Sequence, residues 1–292
     1  MFGVVKYLAF LLNEVYEKHR DPRVQHFLLV GSPFPPLAII AVYLLFVLHY
    51  GPKWMENRKP YELKNVMRIY NAIQVVANII IFIIGIRCSA LHKEYSLLCQ
   101  PIDNDNTKPW MLKLLNASYC YYLTKYLDLF DTIFFVLRKK NRQITFLHVY
   151  HHAGMVFGCH IHMTFMAGSL STMLGMVNLV IHTVMYSYYL ATSLQPIKEA
   201  LWWKRHITEL QLLQFGFLMV LYLQAILRKS CEIPLPVSMV AFMQNLFMFA
   251  LFFEFYFKTY LKKQFSSSKP KVESCAKEES SASTNSESLK TQ

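Results

Sequence analysis

Apolar residues along this chain gather into seven long runs, at about 33–50, 66–86, 114–137, 144–165, 171–193, 207–227 and 236–257. Each is close to the roughly 20 residues a helix needs to cross the hydrocarbon of a bilayer. The first, PFPPLAIIAVYLLFVLHY, opens on prolines and is expected to stop at Gly51-Pro52, where helix punctuation falls. The third, fourth and fifth runs are interrupted by ionisable residues. The pattern predicts an all-α polytopic membrane protein of seven spans. It has an amphipathic segment over 1–32, a spanning domain over 33–262, and a serine-rich tail over 263–292 that is expected to be disordered. The first residues lack the basic start, apolar stretch and small-residue cleavage site of a secretory leader.

Composition sharpens the class. Hydrophobic residues make up 54% of the chain and charged residues only 16%, against about 25% charged in an ordinary soluble domain. The net charge of +12 would suit a nucleic-acid binder, but such a protein would not be this apolar, and nucleic acid is not expected as a partner. Six cysteines without a CxxC pair exclude a zinc ribbon or a dense disulfide scaffold. With the N-terminus lumenal, the segments 51–65, 138–143, 194–206 and the tail become cytosolic. They hold more Lys and Arg than the opposite loops, so the positive-inside rule favours a lumenal N-terminus and a cytosolic C-terminus. That topology leaves Cys99 and Cys231 in the two charged lumenal loops, where an oxidising compartment permits a bridge, with Cys88 a weaker competitor. The Asn116-Ala117-Ser118 sequon falls at the membrane boundary, and no glycan is expected on it.

The chemistry lies in the interruptions. Ionisable residues inside a membrane are costly and mark functional sites by default. The third span carries Lys125, Asp128 and Asp131; the fourth opens with His148, His151 and His152; the fifth holds Asn178 and His182; the sixth holds Thr208, Glu209, Gln211 and Gln214. At about 1.5 Å of rise per residue, Asp131, His151, His182, Gln211 and Gln214 all lie roughly 9–17 Å below the cytosolic ends of their spans. Lys125, Asp128 and Thr132 share a helical face, as do His148, His151 and His152, and Asn178 and His182 are four apart. One cavity opening to the cytosol accounts for that agreement in depth. His160, His162 and Glu254 fall outside this layer and are read as structural.

An HxxHH box invites a metal, but a di-iron site draws on several such boxes, and here there is one. No metal is expected. Neutral imidazoles clustered in a partly buried cavity instead suit nucleophilic and acid–base work near neutral pH.

These segments resemble a known family. KYLDLFDTIFFVLRKKNRQITFLHVYHHAGM, NLVIHTVMYSYY and TELQLLQF are similar, in order and content, to the motifs of the elongation of very long chain fatty acids (ELO) family. Its members are 3-ketoacyl-CoA synthases of the endoplasmic reticulum. Asp128 stands where many members have Glu, which keeps the carboxylate and shortens its reach. The resemblance implies that spans two to seven form a helical barrel around a narrow acyl tunnel, open to the cytosol and closed at the lumen. It implies condensation of a long-chain acyl-CoA with malonyl-CoA, releasing CO₂ and CoA, with no cofactor beyond the substrates.

On that resemblance, His151 is the expected nucleophile, with His148 or Asp131 fixing its tautomer. His182 and Asn178 are expected at an oxyanion or the malonyl carboxylate, and His152, Gln211, Lys125 and Asp128 support them. Arg138, Lys139, Lys140, Arg142, Lys204 and Arg205 form a basic mouth suited to CoA phosphates, and Tyr186, Tyr189 and Gln214 are expected along the substrate path. The bilayer, a second copy of the chain, and the reductase and dehydratase of the elongation cycle are the expected partners. The rival readings are a membrane metal-dependent desaturase or hydroxylase and a seven-span receptor. A receptor normally places its ligand pocket on the outer side, whereas this polar layer is nearer the cytosol.

Overall fold

The computed structural model describes residues 2–102, 108–195, 200–228, 231 and 233–262. The tail over 263–292, with Cys275, lies outside the described residues. The chain divides into two units, Met1–Phe252 and Phe253–Gln292. Among the described residues the regular structure is helical: α1 Phe2–His19, α2 Phe34–Met55, α3 Lys64–Cys88, α4 Pro109–Leu137, α5 Phe146–Phe165, α6 Thr172–Leu194, α7 Ala200–Leu227 and α8 Leu235–Tyr256. Five of these, α2, α3, α6, α7 and α8 with its continuation to Leu261, are long and apolar enough to cross a membrane. The two remaining long candidates, α4 and α5, carry the Lys-Asp segment and the histidine box.

The first run does not stop at Gly51-Pro52 as expected. Helix α2 continues to Met55 through a π-helical turn over Phe46–Tyr50, where the Gly51 N–H reaches the Phe46 carbonyl. The wider turn takes up the break that Pro52, which has no N–H, would impose on an α-helical ladder. Gly51 suits the position for a second reason. A Cβ there would lie 2.7 Å from the Phe46 carbonyl oxygen and 2.8 Å from Val136 Cγ1, so the helix approaches α4 as only glycine allows.

Within the first unit, α3 packs along α6 and beside α4, α4 lies against α5, α6 against α7, and α2 against α5. Arg68 on α3 donates to the Ser193 carbonyl at 2.6 Å, satisfying an otherwise open C-terminal group of α6. Helix α8 meets its neighbours through side chains: the Tyr150 hydroxyl on α5 donates to Gln244 at 2.9 Å, and Phe252 meets Phe215 of α7 with ring centroids 5.1 Å apart.

The segment leading from α1 into α2 is tied down at the opposite end of the bundle from the histidine box. Asp21 and Arg23 pair at 2.7 Å, and the Asp21 N–H donates to the Thr164 carbonyl at 2.8 Å. His160 meets the Tyr16 hydroxyl at 3.1 Å and the Leu29 carbonyl at 3.1 Å. Leu29 adopts φ 67°, a left-handed conformation that the Tyr122 hydroxyl also holds by donating to its carbonyl at 3.0 Å. Burial raises the Tyr16 phenol above its ordinary pKa. At the same end, Cys99 and Cys231 are disulfide-bonded, with Cα atoms 5.5 Å apart.

In the second unit the helix ends in a π-helical turn over Phe257–Leu261, and Lys258 pairs with Glu254 one turn back.

Candidate active site

Helix α4 presents Lys125, Asp128 and Thr132 from one buried face, each no more than 3% exposed. Lys125 Nζ lies 2.7 Å from Asp128 Oδ2. It also donates to Asn178 Oδ1 on α6 at 3.1 Å and sits 4.7 Å from the centre of the Tyr121 ring. A cation buried this deeply needs such compensation. The Tyr121 hydroxyl donates to the same Asn178 oxygen at 3.0 Å.

Asp128 is the hub. Its Oδ1 accepts from Gln74 Nε2 on α3 at 2.7 Å and from the Tyr186 hydroxyl on α6 at 3.0 Å. Its Oδ2 faces His182 Nδ1 at 3.6 Å. Tyr186 lies 2.7 Å from Asp131 Oδ2 and 3.2 Å from the Tyr70 hydroxyl. Six residues expected in the site (Lys125, Asp128, Asp131, Asn178, His182 and Tyr186) therefore share one connected network across α4 and α6.

The histidine box forms a second cluster. Thr145 caps α5 by accepting the His148 N–H at 3.2 Å, which starts the helix just before the box. His148 Nε2 meets Thr132 Oγ1 at 3.0 Å, and Thr132 meets the Tyr43 hydroxyl at 2.8 Å. The His148 and His152 rings lie 4.2 Å apart, and the His151 ring stands edge-on to His152 at 5.4 Å. None of the described residues hydrogen-bonds the His151 ring. Neither His148 nor Asp131 fixes its tautomer; His148 turns to Thr132, and Asp131 turns to Tyr186. The buried Nδ1 atoms of His152 and His182 and the Gln74 Oε1 have no hydrogen-bond partner among the described residues.

Other expected residues stand apart. Gln211 reaches only the Met185 sulfur, at 3.9 Å, and Gln214 is buried on α7 outside the network. Tyr189 stands edge-on to Tyr186 at 6.1 Å. Arg138 points at the Met67 sulfur and Lys139 at the Glu56 carbonyl, whereas Lys140 and Arg142 are exposed. Arg205 pairs with Glu209 at 2.9 Å, and Lys204 is exposed. Among the described residues no three His, Cys, Asp or Glu side chains form a group able to hold a metal ion.

The sequence reading missed α3. Asn71, Gln74 and Asn78 are buried there at i, i+3 and i+7, a polar stripe inside an apolar run and the one signal that pointed to it.

The chain as a whole is similar to known proteins. The profile of the GNS1/SUR4 (ELO) family matches residues 28–268. Rat very long chain fatty acid elongase 7 is 39% identical over 249 residues, covering 85% of this chain and 88% of its own length. A very long chain fatty acid elongase of Aedes aegypti is 39% identical over 259 residues, 88% of this chain and 71% of its own. Human very long chain fatty acid elongase 4 is 36% identical over 265 residues, 88% of this chain and 83% of its own.

Proposed function

This chain belongs to the ELO family, the GNS1/SUR4 proteins, and on that premise we propose that it is the condensing enzyme of very long chain fatty acid elongation, a 3-oxoacyl-CoA synthase. The observation that carries the reading is the convergence of α3, α4 and α6 on the buried Asp128 carboxylate, beside a histidine box in which the His151 and His152 rings have no hydrogen-bonded partner among the described residues. Such an arrangement holds an ionised group and polarised donors where no bulk water competes, the condition under which fixed dipoles act most strongly on a developing oxyanion.

In the proposed reaction a His151 ring nitrogen attacks the thioester carbonyl of the acyl-CoA. The C–S bond breaks, CoA leaves as a thiolate that takes up a proton, and an acyl-imidazole remains. Malonyl-CoA then loses CO₂, and the electrons of that bond become an enolate. The enolate carbon attacks the acyl carbon, forms the new C–C bond and expels the imidazole. His182 turns its Nδ1 towards Asp128, which leaves Nε2 for the oxyanion or the malonyl carboxylate. His152 packs against His148 and His151 and keeps their rings in place. Lys140 and Arg142, exposed in the connection between α4 and α5, would hold CoA phosphates. No cofactor is required beyond the two substrates.

The same reading makes α4 and α5 membrane spans and gives seven in all, with α3 to α8 surrounding the acyl tunnel. The side-chain contacts of Tyr150 with Gln244 and of Phe215 with Phe252 support closure through the Leu235–Phe252 part of α8. It places the protein in the endoplasmic reticulum membrane with a lumenal N-terminus and a cytosolic C-terminus, as a homo-dimer serving the reductase and dehydratase of the cycle. The test is a condensation assay on membranes carrying the protein, with a panel of long-chain acyl-CoAs and labelled malonyl-CoA. Labelled 3-oxo products that vanish in His151→Ala and survive a chelator are expected. Absence of condensation by folded wild-type protein would overturn the reading.

A further inference from the structure

Gln74 lies on α3, a helix whose residues the site expected from the sequence did not include. It is 0% exposed, and its Nε2 donates to Asp128 Oδ1 at 2.7 Å and to the Tyr70 hydroxyl at 3.1 Å. Both amide hydrogens are thereby used, which fixes which end of the amide faces the carboxylate; turned over, Oε1 would oppose Oδ1. Asn78, one turn further on, donates to the Gln74 backbone carbonyl at 2.6 Å and braces that turn. Gln74 Oε1 is buried without a partner. The side chain therefore carries an unmet acceptor in order to direct its donors at Asp128, an arrangement that packing alone does not call for.

The two carboxylate oxygens of Asp128 divide their tasks. Oδ1 takes the neutral donors, Gln74 and Tyr186, while Oδ2 takes Lys125 and faces His182. With Gln74 donating to Oδ1 and Lys125 holding Oδ2, the carboxylate is kept from turning, and Oδ2 stays 3.6 Å from His182 Nδ1. The charge so held lies beside the His182 ring and sets the field in which that imidazole acts.

We propose that Gln74 is a positioning residue for the condensation: by donating to Asp128 Oδ1 it locks the Asp128 carboxylate and so holds the Oδ2 charge in place beside His182. The inference rests on the proposed synthase activity. It adds α3 to the catalytic assembly and gives Tyr70 the secondary task of holding the second Gln74 hydrogen.

The experiment compares Gln74→Met, which keeps volume and removes the donor, with Gln74→Glu. Both are assayed for condensation in membranes, with thermal melts of the detergent-extracted protein. Gln74→Met is expected to lower kcat about 10- to 100-fold, the worth of one hydrogen bond to a charged group, with KM for both CoA substrates within about twofold and little change in Tm. Gln74→Glu can donate only when its carboxyl carries a proton. The groups facing it are Lys125, Asp128 and Asp131 of α4, His182 and Tyr186 of α6, and Tyr70 of its own helix. Beside those carboxylates, its activity relative to Gln74→Met should rise as pH falls from about 8 to about 6. A wild type that condenses while Gln74→Met matches it in kcat would overturn this inference and leave the synthase intact. So would a Gln74→Met whose loss follows a lowered Tm and a raised KM, with no pH-dependent recovery in Gln74→Glu. A wild type that does not condense strikes instead at the synthase reading.

Discussion

Lys125 and Asp128, one helical turn apart on α4, form an ion pair at 2.7 Å with side chains 1% and 5% exposed. An ion pair buried to this degree contributes little net stability compared with apolar residues of the same volume. Its presence therefore points to function. It supplies a fixed negative charge with a fixed counter-charge, around which Gln74, Asn178, His182 and Tyr186 are ordered.

Removing one member should be far worse than never having had the pair. Lys125→Met leaves a buried carboxylate with only neutral donors, a loss of about 3–5 kcal/mol. In a chain of this size that is a fall in Tm on the order of 10 °C. The double variant Lys125→Met/Asp128→Leu should recover much of that stability and none of the condensing activity. Thermal melts of the three proteins side by side decide the matter; a double variant no more stable than the single would show that the pair itself holds the fold.

The basic mouth should be separable from the chemistry. Lys140 and Arg142 are exposed, while the side chains of Arg138 and Lys139 are already engaged with Met67 and Glu56. Neutralising Lys140 and Arg142 together should raise KM for acyl-CoA roughly tenfold, equivalent to ~1.4 kcal/mol, and leave kcat unchanged. Added salt should raise the wild-type KM towards that of the variant, because exposed charges are screened. A KM indifferent to both substitution and salt would place the CoA phosphates elsewhere.

The residues legible in the sequence were those whose charge is conspicuous in an apolar run. Lys125, Asp128, Asp131, His182 and the histidine box stand out because hydrocarbon penalises them, and the structure joins the first four in one network. Gln74, Asn78 and Tyr43 were missed because, unlike Asn178 and Gln211, they have no charged residue or histidine within a helical turn to draw attention to their part of the span. The end of α2 was misread because Gly51-Pro52 ends an α-helix but not one that passes through a π turn, and the sequence does not announce such a turn. The partners of His148 and Asp131 could not be read at all, since helical spacing says which face a residue shares but not which neighbouring helix it meets.

The Cys99–Cys231 bond closes a long stretch of chain, with 132 residues of separation. On the chain-entropy account a loop of that length stabilises by up to about 5 kcal/mol. Cys231→Ser should therefore lower Tm by several degrees and change mobility on non-reducing gels. The KM for either substrate should stay as it is, because the bridge lies at the end of the bundle away from the histidine box.

His160 offers the cleanest separation of structure from chemistry. It is nine residues beyond His151, about 14 Å along α5, and its ring holds Tyr16 and the Leu29 carbonyl. His160→Phe keeps the ring's bulk but leaves the buried Tyr16 hydroxyl unpaired, a cost of about 1–3 kcal/mol. Tyr16→Phe added to it removes the orphaned hydroxyl, so the double variant should regain most of the lost Tm. Per folded molecule, kcat should equal the wild type in both, measured by normalising condensation to the monodisperse fraction on gel filtration. A kcat loss in His160→Phe that Tyr16→Phe does not repair would instead tie the pinned segment over 16–31 to the reaction, and His160 would have to be counted with the site after all.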